Sequence, residues 1–252
     1  MTSLNLVIFH QAVGATTSGI TQLEPNSITF TYVASAAHMA LRILENPTCR
    51  QRLAQLALKL DTDRDLGSRF RNDPALARSF VDLFLQKLRA NFPMIVVNDT
   101  MSDPGLLGYH PRGDWDGGYH DFNARQQSVN INGHVSYTVP QKVRNKLIKI
   151  QRVRDMIASA ENASRFRTFQ FMFAVTFVHE IGGHVLVTFL TNGRRPLTPP
   201  SMTAAGYDNT GLGEAGRYLE YVLFGGTMAF YRDPTQGDGQ VRNAPQILLA
   251  SD

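Results

Sequence analysis

One apolar stretch, from Phe169 to Leu190, is long enough to cross a membrane. It contains His179, Glu180 and His184, and no second stretch of this kind occurs in the chain. Ionisable side chains are costly inside a bilayer, so we expect no transmembrane segment. The sequence instead predicts a helix over about Arg165–Thr191 that is apolar nearly all round and lies at the centre of the fold.

The two histidines of this helix are five positions apart and have Gly182-Gly183 between them. An α-helix advances about 100° per residue, so His179 and His184 would point about 140° apart and could not share a metal ion. If the helix accommodates the extra residue as a π-bulge, the two histidines return to the same side of the helix, and such bulges are frequent at functional sites. Two adjacent glycines cost about 1 kcal/mol each relative to alanine, and we expect that they permit this bulge. The alternative is that they end the helix or let another backbone approach.

The segment His179–His184 (HEIGGH) resembles the HExxH signature of the zincin metallopeptidases, with one extra residue between the histidines. In that family two histidines on consecutive turns bind zinc, and the glutamate after the first polarises the metal-bound water. The resemblance implies that His179 and His184 are metal ligands and that Glu180 is the catalytic base. It also implies a zincin-like fold, with a small β-hairpin or sheet packed on the metal-binding helix.

A catalytic zinc site takes three protein ligands and keeps one position open. The chain has only six glutamates, and two of them, Glu214 and Glu220, follow the central helix. This order resembles the gluzincin branch of the zincins, in which the third ligand is a glutamate on a following helix. The two lie about 120° apart around a helix predicted over about Glu214–Phe224, so they are not both expected to be ligands. We favour Glu214, which opens the helix in a glycine-rich turn, and keep Glu220 as the alternative.

Two residues near Glu214 are candidates to stabilise a developing oxyanion, together with a histidine from a loop. Arg217 and Tyr218 follow Glu214 by three and four positions and so share its side of the helix. The sequence does not rank these candidates.

Three of the five histidines upstream of the central helix lie in the predicted loop and hairpin, at positions 110, 120 and 134. Each of His110, His120 and His134 is more often a surface or hydrogen-bonded residue than a ligand. We expect the loop Tyr109–His120, which contains Trp115, to form a wall of the substrate site.

An alternating apolar pattern over Val129–Val139 is interrupted by Asn132-Gly133, a strong tight-turn pair, and predicts a short hairpin. In zincins a strand before the active helix binds extended peptide as an added strand, and the resemblance gives that role to Val129–Val139.

The remaining patterns predict a mainly helical α+β fold. Helices are expected over Ala34–Glu45, from an N-cap at Thr48 to about Leu60, from Asp73-Pro74 to about Ala90 and from Pro140 to about Ala160, with a buried strand at Met94–Val97. No linker marks a boundary, so we expect one metalloenzyme domain, with a helical N-terminal part over 1–92 and a catalytic core over 93–232.

Composition limits which metal ligands, metals and binding partners are expected. A lone Cys49 excludes a disulfide framework and a cysteine-only zinc site, so a metal would be held by nitrogen and oxygen. Zinc is favoured over non-haem iron because Glu180 is placed like a hydrolytic base. A net charge of +4 does not argue for nucleic acid. No clear signal peptide is present, which favours the cytoplasm, whereas sequons at Asn98 and Asn162 point weakly to secretion.

The functional prediction is a zinc-dependent hydrolase of the metallopeptidase type, acting on a peptide or a small molecule. Two alternatives stay open. One is a zinc-dependent lyase, cyclase or isomerase that uses the same site on a small metabolite. The other is an inactive zincin-like binding module. The oligomeric state is not predicted.

Overall fold

The computed structural model of the chain describes residues 4–12, 19–64, 70, 72–101, 106–113, 115, 117–133, 152–191, 198–204, 213–229 and 246–248. The fold is α+β and mainly helical, as predicted. The helices are α1 (Ile28–Leu44), α2 (Pro47–Arg64), α3 (Pro74–Ala90), α4 (Arg152–Ala158), α5 (Ala163–Phe177), α6 (Leu186–Thr191) and α7 (Ala215–Phe224). The strands are β1 (Ile8–Gln11), β2 (Ile20–Gln22), β3 (Met94–Asn98), β4 (Gly108–Tyr109), β5 (Ser128–Asn132), β6 (Thr227–Ala229) and β7 (Gln246–Leu248).

Side-chain caps fix where the N-terminal helices begin. Helix α3 begins as predicted, because the Asp73 carboxylate accepts from the backbone N–H of Ala75 and proline stands at the first helical position. Helix α1 begins earlier than predicted, since the Ser27 hydroxyl caps it by accepting from the Phe30 N–H. The prediction that Thr48 caps α2 is wrong, because the Asn46 side chain accepts from the Thr48 N–H instead.

Five strands form a mixed sheet in the order β2-β1-β3-β5-β4. Strands β1, β3 and β5 are parallel, and β2 and β4 pair antiparallel at the two edges. The apolar run in β3 is buried, as expected for a parallel strand that is covered on both faces. A second, two-stranded sheet pairs β6 with β7.

The predicted hairpin is only partly within the described residues. Its first strand corresponds to β5, whereas residues 134–139 lie outside the described part of the chain. Strand β5 is flanked by β3 and β4, so the prediction that it binds an added peptide strand is wrong for Ser128–Asn132. Of the predicted helix over 140–160, the described residues include Arg152–Ala158, which is helical.

The central helix is continuous from Ala163 to Thr191 and is the one described helix long and apolar enough to cross a membrane. Within its most apolar window, 89% of the residues are buried inside the fold. Four of its aromatic side chains, those of Phe169, Phe173, Phe177 and Phe189, are fully buried in the main hydrophobic core. The residues of the HEIGGH segment are thus held in a helix that is mostly buried in the core.

Candidate metal centre

The central helix changes its pitch at the two histidines. Residues Val178–Val185 form a π-helix between α5 and α6. The ring centroids of His179 and His184 are 5.4 Å apart. The widening expected from the extra residue is therefore confirmed, and the two imidazoles are neighbours even though they stand five positions apart in the sequence.

The glycine pair in the π segment also allows close packing against α7. A Cβ atom on Gly183 would lie 2.5 Å from the Cα atom of Gly216 in α7, and one on Gly216 would lie 2.4 Å from Nε2 of His179. Real Cβ atoms essentially never come so close to other atoms. The absence of side chains here lets the first turn of α7 lie directly on the histidines, so the close backbone approach kept as an alternative for these glycines does occur.

Glu214 precedes α7 and is brought to both histidines by this contact. Its Oε2 atom is 3.4 Å from Nε2 of His179, and its Oε1 atom is 2.5 Å from Nε2 of His184. One ligand atom from each of the three residues lies within 4.8 Å of the others. The Glu214 carboxylate is also the N-cap of α7 and accepts from the N–H groups of Gly216 and Arg217. The same side chain thus begins the helix and completes the cluster.

Charge within the cluster is balanced between imidazole and carboxylate groups. Burial acts to raise the pKa of Glu214, but the charge of His179 and the hydrogen bonds of His179 and His184 hold it well below its usual range. Burial likewise opposes a charged His179, yet the carboxylates of Glu214, Glu220 and Glu180 raise its pKa well above the usual value. In the metal-free protein, protonated His179 thus supplies positive charge among these carboxylates.

The second glutamate of α7 lies behind His179. The Oε1 atom of Glu220 is 2.5 Å from Nδ1 of His179, and its Oε2 atom accepts from the backbone N–H of Met228 in β6. This carboxylate is 5% exposed. A carboxylate on the far ring nitrogen orients a ligand histidine and fixes its tautomer. The geometry therefore gives the two glutamates separate positions: Glu214 between the histidines and Glu220 behind one of them.

Glu180, the predicted base, is buried beside the same cluster. It is 4% exposed, and its Oε1 atom is 3.9 Å from Nε2 of His179. Its Oε2 atom has no hydrogen-bond partner in the described structure. A buried carboxylate oxygen without a partner is costly, so Glu180 leaves an unused hydrogen-bond acceptor beside the cluster.

The two oxyanion candidates on α7 lie in different surroundings. The Nε atom of Arg217 is 3.8 Å from Oε2 of Glu214, next to the cluster. Tyr218 packs against the hydrophobic core, and only its backbone N–H contacts the cluster, by donating to the backbone oxygen of Glu214 over 3.0 Å. The structure therefore brings the side chain of Arg217, but not that of Tyr218, to the Glu214 carboxylate.

Arg112 is a site residue that sequence reasoning missed. Its guanidinium donates to Nδ1 of His184 over 2.7 Å and to the Thr198 hydroxyl over 2.8 Å. Arg112 and His184 are 72 positions apart, and no local pattern relates them. Only the course of the loop after β4 brings this cation to the central helix.

The loop histidines do not join the cluster among the described residues. The Nδ1 atom of His110 is 2.8 Å from the backbone oxygen of Ser128, and burial lowers the pKa of its imidazole to about 4. His120 is exposed, with its backbone oxygen bonded to Lys87. His134 lies outside the described residues.

Trp115 does not form the wall predicted for it. It is 7% exposed, its indole N–H donates to the backbone oxygen of Thr188, and its ring packs on Phe122 and Phe189. The aromatic ring is therefore part of the core, and it holds its loop to the end of the central helix.

Comparison of the chain with protein-family models, with curated proteins and with solved structures gives no match. The functional argument accordingly rests on the geometry of the cluster and on the chemistry of its residues.

Proposed function

We propose that this chain is a zinc-dependent hydrolase of the metallopeptidase type, with His179, His184 and Glu214 as the metal ligands. The observation that carries the proposal is the π segment, which makes neighbours of two histidines that an α-helix would separate. Stabilising a π segment and two glycines in a buried helix has a free-energy cost, and a metal held by both imidazoles accounts for it.

The residues fit the donor set of a catalytic zinc site. Two imidazole nitrogens and one carboxylate oxygen leave a fourth position open. Ligand atoms around tetrahedral zinc are roughly 3.4 Å apart, close to the 3.4 Å between Nε2 of His179 and Oε2 of Glu214. The shorter contact between His184 and Glu214 is a hydrogen bond, which a metal would replace. The ligand side chains are 15–27% exposed, so the site is open to small solutes.

A zinc ion in this site would supply Lewis-acid activation of water and of a carbonyl group. Glu180 accepts the proton from the attacking water at its unpartnered Oε2 atom and passes it to the leaving amine. Glu220 holds His179 in position through Nδ1. Arg217, next to Glu214, is placed to stabilise negative charge that develops on the substrate.

A peptide substrate is favoured by the position of strand β4. This strand is at the edge of the described sheet, and a Cβ atom on its Gly108 would lie 2.8 Å from Thr176 and 3.7 Å from Cγ of Glu180. The edge strand therefore passes beside the proposed base. An extended peptide that pairs with β4 by main-chain hydrogen bonds would lie along the cluster.

The test compares metal content and peptide turnover in matched variants. We expect elemental analysis of the purified protein to give one zinc per chain, lost in His179→Ala. Glu180→Gln should keep the zinc and lose hydrolysis of a mixed peptide library by at least about a hundredfold. Glu161→Gln, the same change at an exposed glutamate, is the control and should behave as wild type.

Three results separate this proposal from its alternatives. Wild-type turnover in Glu180→Gln contradicts the mechanism. Zinc binding with turnover of small molecules but of no peptide favours a lyase, cyclase or isomerase. A protein without metal and without turnover contradicts an enzymatic function.

A further inference from the structure

We propose that Arg112 opposes metal binding at His184, and that metal loading requires its guanidinium to leave the Nδ1 atom of that histidine. The inference rests on the proposed metal site. The observation behind it is the 2.7 Å contact between the Arg112 guanidinium and Nδ1 of His184. It makes Arg112 a positioning residue, which acts through a ligand and not on the substrate.

The argument follows from which groups can donate a hydrogen bond. A guanidinium has five N–H donors and no acceptor. Nδ1 of His184 must therefore be the acceptor, and the hydrogen of the neutral ring is on Nε2. That nitrogen lies 2.5 Å from Oε1 of Glu214, which accepts the hydrogen. The metal-free site is thus closed by a chain of bonds from Arg112 through His184 to Glu214.

A metal on Nε2 requires the opposite tautomer. The ligand nitrogen gives up its hydrogen, and a neutral imidazole then carries its hydrogen on Nδ1. In the present geometry that hydrogen would point at an N–H group of Arg112, so two donors would face each other without an acceptor. Loading the metal therefore costs one hydrogen bond and a displacement of the guanidinium.

The two ligand histidines have opposite kinds of hydrogen-bond partner at Nδ1. Nδ1 of His179 faces the Glu220 carboxylate, an acceptor, at 2.5 Å. Nδ1 of His184 faces a cation that can only donate. Nδ1 of His179 therefore already faces the acceptor that a metal-bound ring needs, whereas Nδ1 of His184 faces a donor.

Thr198 gives the displaced guanidinium a remaining partner and connects it to the third ligand. Its hydroxyl accepts from Arg112, and its backbone oxygen accepts from the N–H of Gly213, the residue before Glu214. Arg112 thus bridges the π segment and the stretch that leads into α7. Both bonds are donated by Nη2 of Arg112, so release from His184 requires the guanidinium to rotate about its bond to Thr198.

The test is the zinc dissociation constant, measured by competition with a chromogenic chelator for four proteins. Arg112→Gln should bind zinc about 10–100-fold more tightly than wild type, because its amide oxygen can accept from Nδ1–H. Arg112→Lys should stay close to wild type, since an ammonium group also only donates. Arg217→Gln removes a positive charge near Glu214 without touching Nδ1 of His184 and is the control for charge alone.

A second measurement reads the tautomer directly. Long-range ¹H–¹⁵N NMR of the metal-free wild type should show an unprotonated Nδ1 on His184, and Arg112→Gln should lose this assignment. A protonated Nδ1 in metal-free wild type overturns the inference. So does a zinc affinity of Arg112→Gln that is equal to or weaker than wild type, or an equal tightening in Arg217→Gln.

The outcomes distinguish this inference from the proposed function. Zinc-dependent hydrolysis together with an unchanged affinity in Arg112→Gln overturns the inference alone. Tighter zinc binding in Arg112→Gln without any hydrolysis overturns the proposed hydrolase and leaves the inference standing. If neither wild type nor Arg112→Gln binds zinc, both are wrong.

Discussion

Substitution of Gly183 by alanine tests whether the contact between the π segment and α7 holds the candidate site together. The new methyl group would lie 2.5 Å from Cα and 2.6 Å from N of Gly216, where ordinary contacts are 3.4–4 Å. The obstacle is backbone, so α7 must retreat by about an ångström. Overpacking of this kind costs about 1–3 kcal/mol, whereas replacing a helical glycine by alanine gains about 1 kcal/mol. We expect a net loss of up to about 2 kcal/mol in the free energy of unfolding.

The neighbouring glycine is the matched control. A methyl group on Gly182 would meet the Cδ2 atoms of Leu219 and Leu44 at 2.6 and 2.7 Å. These atoms are the ends of flexible side chains, which can rotate at lower cost than a helix can move. Gly182→Ala should therefore be less destabilising than Gly183→Ala, although both make the same chemical change in the same helix.

Urea denaturation in the presence of a chelator measures the free energy of unfolding of the metal-free protein. Chelator competition measures the zinc affinity separately. Because Glu214 precedes α7, a retreat of that helix moves the carboxylate away from both histidines. Gly183→Ala should thus weaken zinc binding by about tenfold or more. The reasoning is refuted if Gly183→Ala is as stable as wild type, or more stable by about 1 kcal/mol, with unchanged zinc affinity.

Three further predictions concern single titratable groups. Glu220→Gln should weaken zinc binding by roughly 10–100-fold in chelator competition, and unchanged affinity would show that this carboxylate does not position His179. Because the pKa of His179 is raised, its contribution to the metal-free protein is complete below pH 6.5 and is lost as pH rises through the raised value. The thermal midpoint of the chelated protein should fall over that range, and a flat profile, or one equal to that of His179→Gln, contradicts this. His110 has its pKa lowered to about 4, so stability should fall between pH 6.5 and pH 4 by on the order of 3 kcal/mol. His110→Gln should show a shallower acid limb in urea titrations, and an identical limb would be evidence against a buried neutral imidazole.

Local signals were sufficient to predict several element ends. The Asp73-Pro74 pair places the start of α3, and Gly225, which has a φ of 77°, ends α7 as the glycine pair after Phe224 predicts. The π segment was also predictable, because two histidines five positions apart with glycines between them satisfy one site only at a wider pitch.

Long-range contacts were not predictable from the sequence. The order of the sheet strands depends on packing between segments far apart in the chain, so the family resemblance gives the peptide-binding role to the region of β5, although β4 is at the edge. The loop Tyr109–His120, with Trp115, is predicted to form a substrate wall, yet the Trp115 ring is buried against Phe189. The cation beside His184 had no sequence signal either, since nothing in the residues around Arg112 indicates which helix they meet.

The pitch of the central helix also bears on how metal sites are sought in sequences. A search pattern with a fixed interval between two ligands assumes a helix of one pitch. Four positions suit an α-helix, whereas five suit the π segment Val178–Val185. One spatial arrangement can therefore be written with two intervals, and a pattern that admits only the shorter one passes over chains such as this. A buried helix with a His-Glu pair, adjacent glycines and a second histidine one position late is a place to look for a change of pitch.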